Sequence, residues 1–241
     1  MIRLSRYRYF SYRIVWTNDA MELARSCPAW VGAAGPHGVM PFANVLSIPA
    51  INSFVGRKFK GATASVLKRV PFLRLLYLFG CVDVSSKTLT KTLKEGYCVG
   101  LVSDGIAGIF KCSKNEETLY LANRKSLAKF CLKNGCPLIP AFSVGNSEAF
   151  SLWFDSFGIL EWLSRKAQTA VFVFWGRFFL PIPRRVNITL LFGSPIMVER
   201  KEHPTQEDID ELHNRLLAAT KTMYDAHKHK VGKGHKELKI I

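Results

Sequence analysis

Apolar positions along this chain fall into two patterns, one of strands and one of helices. Short apolar runs bounded by glycine, proline or aspartate read as buried strands. Residues 29–34 form one such run and 97–103 (YCVGLVS) a second, which ends at the turn signal Asp104-Gly105. Residues 137–144 (PLIPAFSV) form a third, and 187–198 a fourth that breaks at Gly193-Ser194-Pro195. Helical spacing lies between them: 87–95 stopped by Gly96, 123–134 closed by Gly135, and 205–227 opened by Thr205 with Asp208 three positions on. Residues 151–166 carry Trp153, Phe154, Phe157, Leu160 and Leu163 near one side and read as a single amphipathic helix, packed in a core or lying on lipid. Strands alternating with helices predict an α/β fold, a mostly parallel central sheet flanked by helices. Ligand sites in such sheets lie beyond the carboxyl ends of the strands. His37 and Asp104 each follow a predicted strand and are expected to meet there. With no internal repeat or linker, residues 1–241 read as one domain.

Composition moves this picture toward lipid. Hydrophobic residues make up 48% of the chain and mean hydropathy is +0.07, high for a soluble domain and low for a polytopic membrane protein. Residues 26–56 carry no charged side chain besides the titratable His37, but Pro36, Pro41 and Pro49 interrupt them. A spanning helix needs about 20 apolar residues with intact backbone bonds. This run is therefore expected to form a strand, a turn and a broken apolar helix, buried or dipping into one leaflet. Residues 167–176 are too short to span.

Lys and Arg number 34 against 18 Asp and Glu, which calls for an anionic partner: a membrane surface, a phosphorylated ligand or nucleic acid. Arg3, Arg6, Arg8 and Arg13 alternate with Tyr7, Tyr9, Phe10 and Tyr12, so residues 1–28 read as a basic, aromatic interfacial start, and 229–241 as a basic tail. No nucleic-acid-binding motif accompanies the charge, and nucleic acid is not expected as a partner. The six cysteines show no CxxC spacing and read as reduced, mostly buried thiols; no metal site is expected. The histidines at 203, 213, 227, 229 and 235 lie in or beside a charged helix and read as solvated.

Candidate chemistry centres on Gly35-Pro36-His37-Gly38. Proline fixes φ, the glycines allow close approach, and an apolar setting favours neutral imidazole, as a general base for a hydroxyl requires. A turn histidine bonded to backbone fits the same tetrapeptide. GxSxG, P-loop, GxGxxG and HExxH patterns are absent. Asn123, Arg124 and Lys125 open a predicted helix, where two cations and the helix dipole suit a phosphate; an exposed helix start is the alternative.

In order and spacing, PHGVMPF, VGLVSDGIAGIF, LANRKSLAKFCLKNGCPLIPAFSVG, Gly176-Arg177 with PRRVNITLLFGSPIMV, and HPTQEDIDELH with AHKHKVG resemble the type-2 diacylglycerol acyltransferase family, which includes monoacylglycerol and wax-ester relatives. The resemblance covers nearly the whole chain. It implies acyl transfer from acyl-CoA to the hydroxyl of diacylglycerol, making triacylglycerol, at the cytosolic face of the endoplasmic reticulum and on lipid droplets. By resemblance His37, flanked by Pro36 and Gly38, takes the hydroxyl proton, and backbone N–H groups near Gly38 or Gly105 stabilise the oxyanion. Asn123, Arg124 and Lys125 face the CoA phosphates, and Asp104 is a candidate acid. Acyl-CoA is a co-substrate, with no cofactor or metal; a membrane and a homo-oligomer are the other implied partners.

The departures are specific. The family's first histidine is Gly35 here, its glutamate near the end of the glycine-rich block is Gly108, and Ser126 replaces the glycine of its Arg-Lys-Gly helix. Val144-Gly145-Asn146 stands where Phe-Gly and an acid are common, and Phe42 sits where the His-x4-Asp pair of related glycerolipid acyltransferases would place its aspartate. The chain begins just before the first family block, without the usual hydrophobic hairpin. The substitutions at Gly35 and Gly108 leave a second reading, an impaired homologue that binds lipid or acyl-CoA or partners an active enzyme; monoacylglycerol or a fatty alcohol is an alternative acceptor. A glutamate restored at Gly108 is the corresponding probe.

Overall fold

Strands covered on both faces lose alternation and become continuous apolar runs, which is how the central strands of this protein read. The computed structural model describes residues 2–4, 9–69, 74–110, 116–153, 157–167 and 172–241. One eight-stranded sheet runs in the order β1 (Ile2–Leu4), β2 (Ser11–Trp16), β11 (Asn187–Phe192), β8 (Leu138–Val144), β3 (Val31–Ala34), β6 (Cys98–Val102), β4 (Phe59–Thr63), β5 (Cys81–Asp83). From β8 to β5 every adjacent pair is parallel. β11 turns antiparallel to β8 and parallel to β2, and β1 is antiparallel to β2 at that edge.

Successive residues of a strand face opposite sides, and β8 divides accordingly. Leu138, Phe142 and Val144 join one core with α6 (Ser126–Asn134), α8 (Gln206–His227) and Leu89 of α4 (Ser86–Lys94). Ile139 and Ala141 join the other, with Ala24 of α1 (Ala20–Ser26) and Ala43, Ile48, Ala50 and Ile51 of α2 (Phe42–Phe54). Helices thus cover both faces of a mostly parallel sheet, as expected. Smaller pieces surround this frame: α3 (Leu75–Leu78), α5 (Gly105–Phe110) and α7 (Ile159–Ala167), an antiparallel pair of β9 (Ser151–Leu152) with β10 (Phe174–Trp175), and a parallel pair of β7 (Glu117–Leu119) with β12 (Leu238–Ile240).

Several local expectations change. The uncharged run does become strand, turn and helix, but α2 passes through Pro49 without stopping, and its buried side is packed on the sheet. Proline costs one helical hydrogen bond and a clash; burial of the residues around Pro49 outweighs that here. The segment 151–166 is not one helix: its first residues pair with β10 and the helix begins at Ile159. The interfacial start forms β1, β2 and α1, with Tyr12 and Ile14 buried in β2; Arg6, Tyr7 and Arg8 lie outside the described residues. The basic tail folds back as β12, with Lys236 and Leu238 buried.

His213 is 1% exposed on the core side of α8, not solvated. Cys27, Cys81, Cys98, Cys131 and Cys136 are free and buried; Cys112 lies outside the described residues. Burial pushes the Cys81 thiol up to about 11 and Cys136 to about 12. Among the described residues no helix is long and apolar enough to cross a membrane.

Candidate active site

Three adjacent parallel strands, β6, β3 and β8, end on the same side of the sheet, and each delivers one residue to a common point. β3 runs into Gly35-Pro36-His37-Gly38, β6 into Ser103-Asp104, and β8 into Gly145-Asn146. This is the crevice beyond the carboxyl ends where such sheets place ligands.

His37 is half-buried, and Asp104 and Asn146 are almost wholly buried. The His37 main-chain N–H donates to Asp104 Oδ2 at 2.8 Å. The Asn146 side-chain amide donates to the His37 carbonyl at 2.6 Å, and its oxygen accepts from Ala43 N–H, in the first turn of α2, at 3.2 Å. The backbone on both sides of the imidazole is therefore clamped by buried polar groups. Gly38 has φ of +60°, where a side chain is strained, and a Cβ there would press to 3.0 Å on the Asn146 amide nitrogen of the clamp.

The ring has a defined tautomer by elimination. His37 Nδ1 lies 2.8 Å from the Gly38 carbonyl oxygen. A carbonyl only accepts, so Nδ1 carries the hydrogen, and in the neutral ring Nε2 keeps its lone pair. Asp104 meets His37 as expected, but at the main chain; it orients the turn that carries the ring. Its other oxygen, Oδ1, is buried without a hydrogen-bond partner. Burial pushes the Asp104 carboxyl up, opposed by His37 and by the charge of Arg124.

The three phosphate candidates separate. Arg124 lies over the start of α5, so that a Cβ on Gly105 would stand 2.6 Å from its Nη1, and its guanidinium is 5.3 Å from the Tyr120 ring centre. Lys125 is paired with Asp210 of α8 at 2.8 Å. Asn123 is exposed. All three precede α6, which starts only at Ser126 with no side-chain cap at Lys125, so the expected helix opening by Asn123 is one turn early. Arg124 alone of the three is tied to the His37–Asp104 point. Asn146 was missed as a site residue; its sequence signal was the end of the apolar run at Val144-Gly145. Among the described residues no group of three or more His, Cys, Asp or Glu is placed to hold a metal.

The sequence model of the family described as "Diacylglycerol acyltransferase" matches residues 3–240. The chain belongs to the diacylglycerol acyltransferase family. It is 28% identical to human "Diacylglycerol O-acyltransferase 2" over 93% of its own length and 62% of that protein's. Against "Diacylglycerol O-acyltransferase 1" of Eremothecium gossypii it is 25% identical over 98% of its length and 55% of that protein's. The chain thus spans about three-fifths of these acyltransferase relatives. The crystal structure of the 1-acyl-sn-glycerophosphate acyltransferase PlsC from Thermotoga maritima aligns with a TM-score of 0.49 at 12% identity, covering 89% of this chain and 72% of that one.

Two departures from the acyltransferase family pattern have steric reasons. A Cβ at Gly35 would lie 2.3 Å from Leu119 Cδ1, so the Leu119 side chain crowds the place of the family's first histidine. A Cβ at Gly108 would lie 2.1 Å from Asp104 Oδ2, so the space of the family's glutamate already holds the Asp104 carboxyl.

Proposed function

We propose that the protein is a membrane-associated O-acyltransferase that moves a fatty acyl group from acyl-CoA to the free hydroxyl of diacylglycerol, making triacylglycerol. The observation that carries this reading is the clamped His37 turn at the carboxyl ends of three parallel strands, in a chain of this family. His37 Nε2 takes the hydroxyl proton as the oxygen attacks the thioester carbonyl. When the tetrahedral intermediate collapses, the C–S bond breaks and the imidazolium returns the proton to the leaving CoA sulfur. The products are ester and CoA–SH, and the thioester supplies its own activation, so no cofactor or metal enters. Pro36, Gly38, Asp104 and Asn146 hold the turn. Arg124 is placed for a CoA phosphate with exposed Asn123 beside it; Lys125 joins only by leaving Asp210. An apolar acceptor calls for a lipid surface, and the family resemblance supports the cytosolic face of the endoplasmic reticulum and lipid droplets as the place of work.

The filled positions beside Gly35 and Gly108 favour one competing reading, a homologue that binds acyl-CoA without turnover. Membranes from a host lacking triacylglycerol synthesis, carrying the full chain and supplied with labelled acyl-CoA, decide between them. Label in triacylglycerol on adding diacylglycerol supports acyl transfer; acyl-CoA retention with no labelled ester from diacylglycerol, monoacylglycerol or fatty alcohol supports the binder.

A further inference from the structure

Residues 162–198 contain no Asp or Glu, but they hold Arg165, Lys166, Arg177, Arg184 and Arg185. Within this stretch the chain leaves β10 and makes a tight turn. Gly176 N–H donates to Leu180 O at 2.7 Å, Arg177 N–H to Ile182 O at 2.8 Å, and Leu180 N–H to Arg177 O at 3.0 Å. A Cβ on Gly176 would lie 1.9 Å from the Ile182 carbonyl oxygen, so only glycine permits this crossing.

At the tip, Phe178 and Phe179 both have φ of 57°, in the left-handed region that bulky side chains disfavour. The two residues are nevertheless 74% and 85% exposed. The backbone is strained to carry two phenylalanines into solvent, and nothing in the described fold packs over them in return. Strain of this kind concentrates where a surface has work to do. Two features show what covers the rings. The first is charge: Arg177 stacks 5.0 Å from the Phe178 ring, Arg185 sits exposed beside Tyr9, and the stretch has no acid to neutralise them. The second is position: Arg184 N–H donates to Ala149 O at 2.8 Å, three residues from the Asn146 that clamps His37. The base of the turn is thus anchored to the segment that follows Asn146.

We propose that the turn 177–182 is a membrane wedge, inserting Phe178 and Phe179 among the acyl chains of an anionic phospholipid surface while Arg177 and Arg185 meet the headgroup phosphates. Aromatic tips with flanking cations suit the bilayer interface. Insertion there sets the mouth of the His37 site at the depth where an apolar acceptor resides. That purpose rests on the acyltransfer reading above; the binding does not, and can be measured without turnover.

Glycine adopts positive φ freely, so Phe178→Gly/Phe179→Gly removes the rings while keeping the turn. The purified full chain is floated with phosphatidylcholine vesicles with or without phosphatidylserine, and its thermal unfolding is followed alongside. The wild type should float best with phosphatidylserine and release in high salt. The double variant should bind those vesicles about tenfold more weakly or less, with unfolding unchanged or raised. Arg185→Gln should lose much of the phosphatidylserine preference. Equal flotation of wild type and double variant, salt-insensitive wild-type binding, or a double variant that changes self-association alone would overturn the wedge. A water-soluble short-chain acceptor, assayed without vesicles, separates the two claims. Wild-type flotation without turnover defeats the acyltransfer reading and leaves the wedge; equal turnover by wild type and double variant with lost flotation supports both.

Discussion

At the scale of single residues, the site is defined by what fills the space around His37. Asp104 and Asn146 grip its backbone, the Gly38 carbonyl takes the Nδ1 hydrogen, and Leu119 crowds Gly35. These contacts turn an ordinary probe of the family pattern into a different prediction. Gly108→Glu, offered as restoring a missing acid, drives a Cβ into the Asp104 carboxyl. Alone it should lower acyl transfer at least about tenfold and stability by roughly 1–3 kcal/mol, the range for overpacking. Adding Asp104→Gly clears the clash but leaves the His37 N–H without its acceptor, so the double variant should melt above Gly108→Glu alone and below the wild type. If Gly108→Glu alone raises activity without loss of stability, the account of Asp104 as occupant of that space is wrong. His37 was legible in the sequence because proline and glycine mark its turn. Asn146 was not, because an asparagine after a strand is also the commonest kind of loop residue, and only the spatial adjacency of β3 and β8 makes it a clamp.

At the scale of elements, legibility followed burial symmetry. β3, β6 and β8 are covered on both faces and stood out as apolar runs, and α8 announced itself by a capping box at Thr205 and Asp208 that the structure contains. β5, β7 and β12, of three residues each, are too short for any period to show, and β4, between β6 and β5, buries only Phe59 fully. β12 was the costliest omission, since a lysine-rich tail reads as solvent-exposed when its partner is out of view. Here Lys236, 7% exposed, lies 3.5 Å from the buried Glu117 of β7, and Lys233 and Glu148 extend the group. Burial pushes the Glu117 carboxyl up, with Lys236 opposing. Lys236→Met should therefore destabilise the fold by about 3–5 kcal/mol at neutral pH, because it leaves a buried carboxylate unpaired. The sign with pH follows: Glu117 takes a proton as pH falls through its raised value, the uncompensated charge disappears, and the gap to wild type should narrow in acid. Urea melts of both proteins across that range check it; a gap constant with pH would mean that the lysine acts through packing alone.

At the scale of the whole molecule, the fold reconciles an apolar composition with a sheet protein. The uncharged run around His37 goes into β3 and α2, packed in the core, and much of the exposed apolar surface lies instead on the strand pair, helix and turn of 151–182, with Trp153, Phe157, Trp162, Phe178 and Phe179, the rest including Leu78 and Phe79 at α3. The sequence showed the quantity of apolar material but not which part faced inward, because helical aromatic stripes serve cores and membranes alike. The proposed acyl transfer then sits at one end of the sheet, beside the surface proposed to meet lipid. The central claim is that His37 performs acyl transfer there, and the most direct test is the acyl-CoA and diacylglycerol assay in membranes with no background activity, wild type beside His37→Ala at matched expression. The account predicts triacylglycerol from the wild type and a rate lower by about 10²–10⁴-fold in the variant; a His37→Ala protein that makes triacylglycerol at the wild-type rate would contradict it.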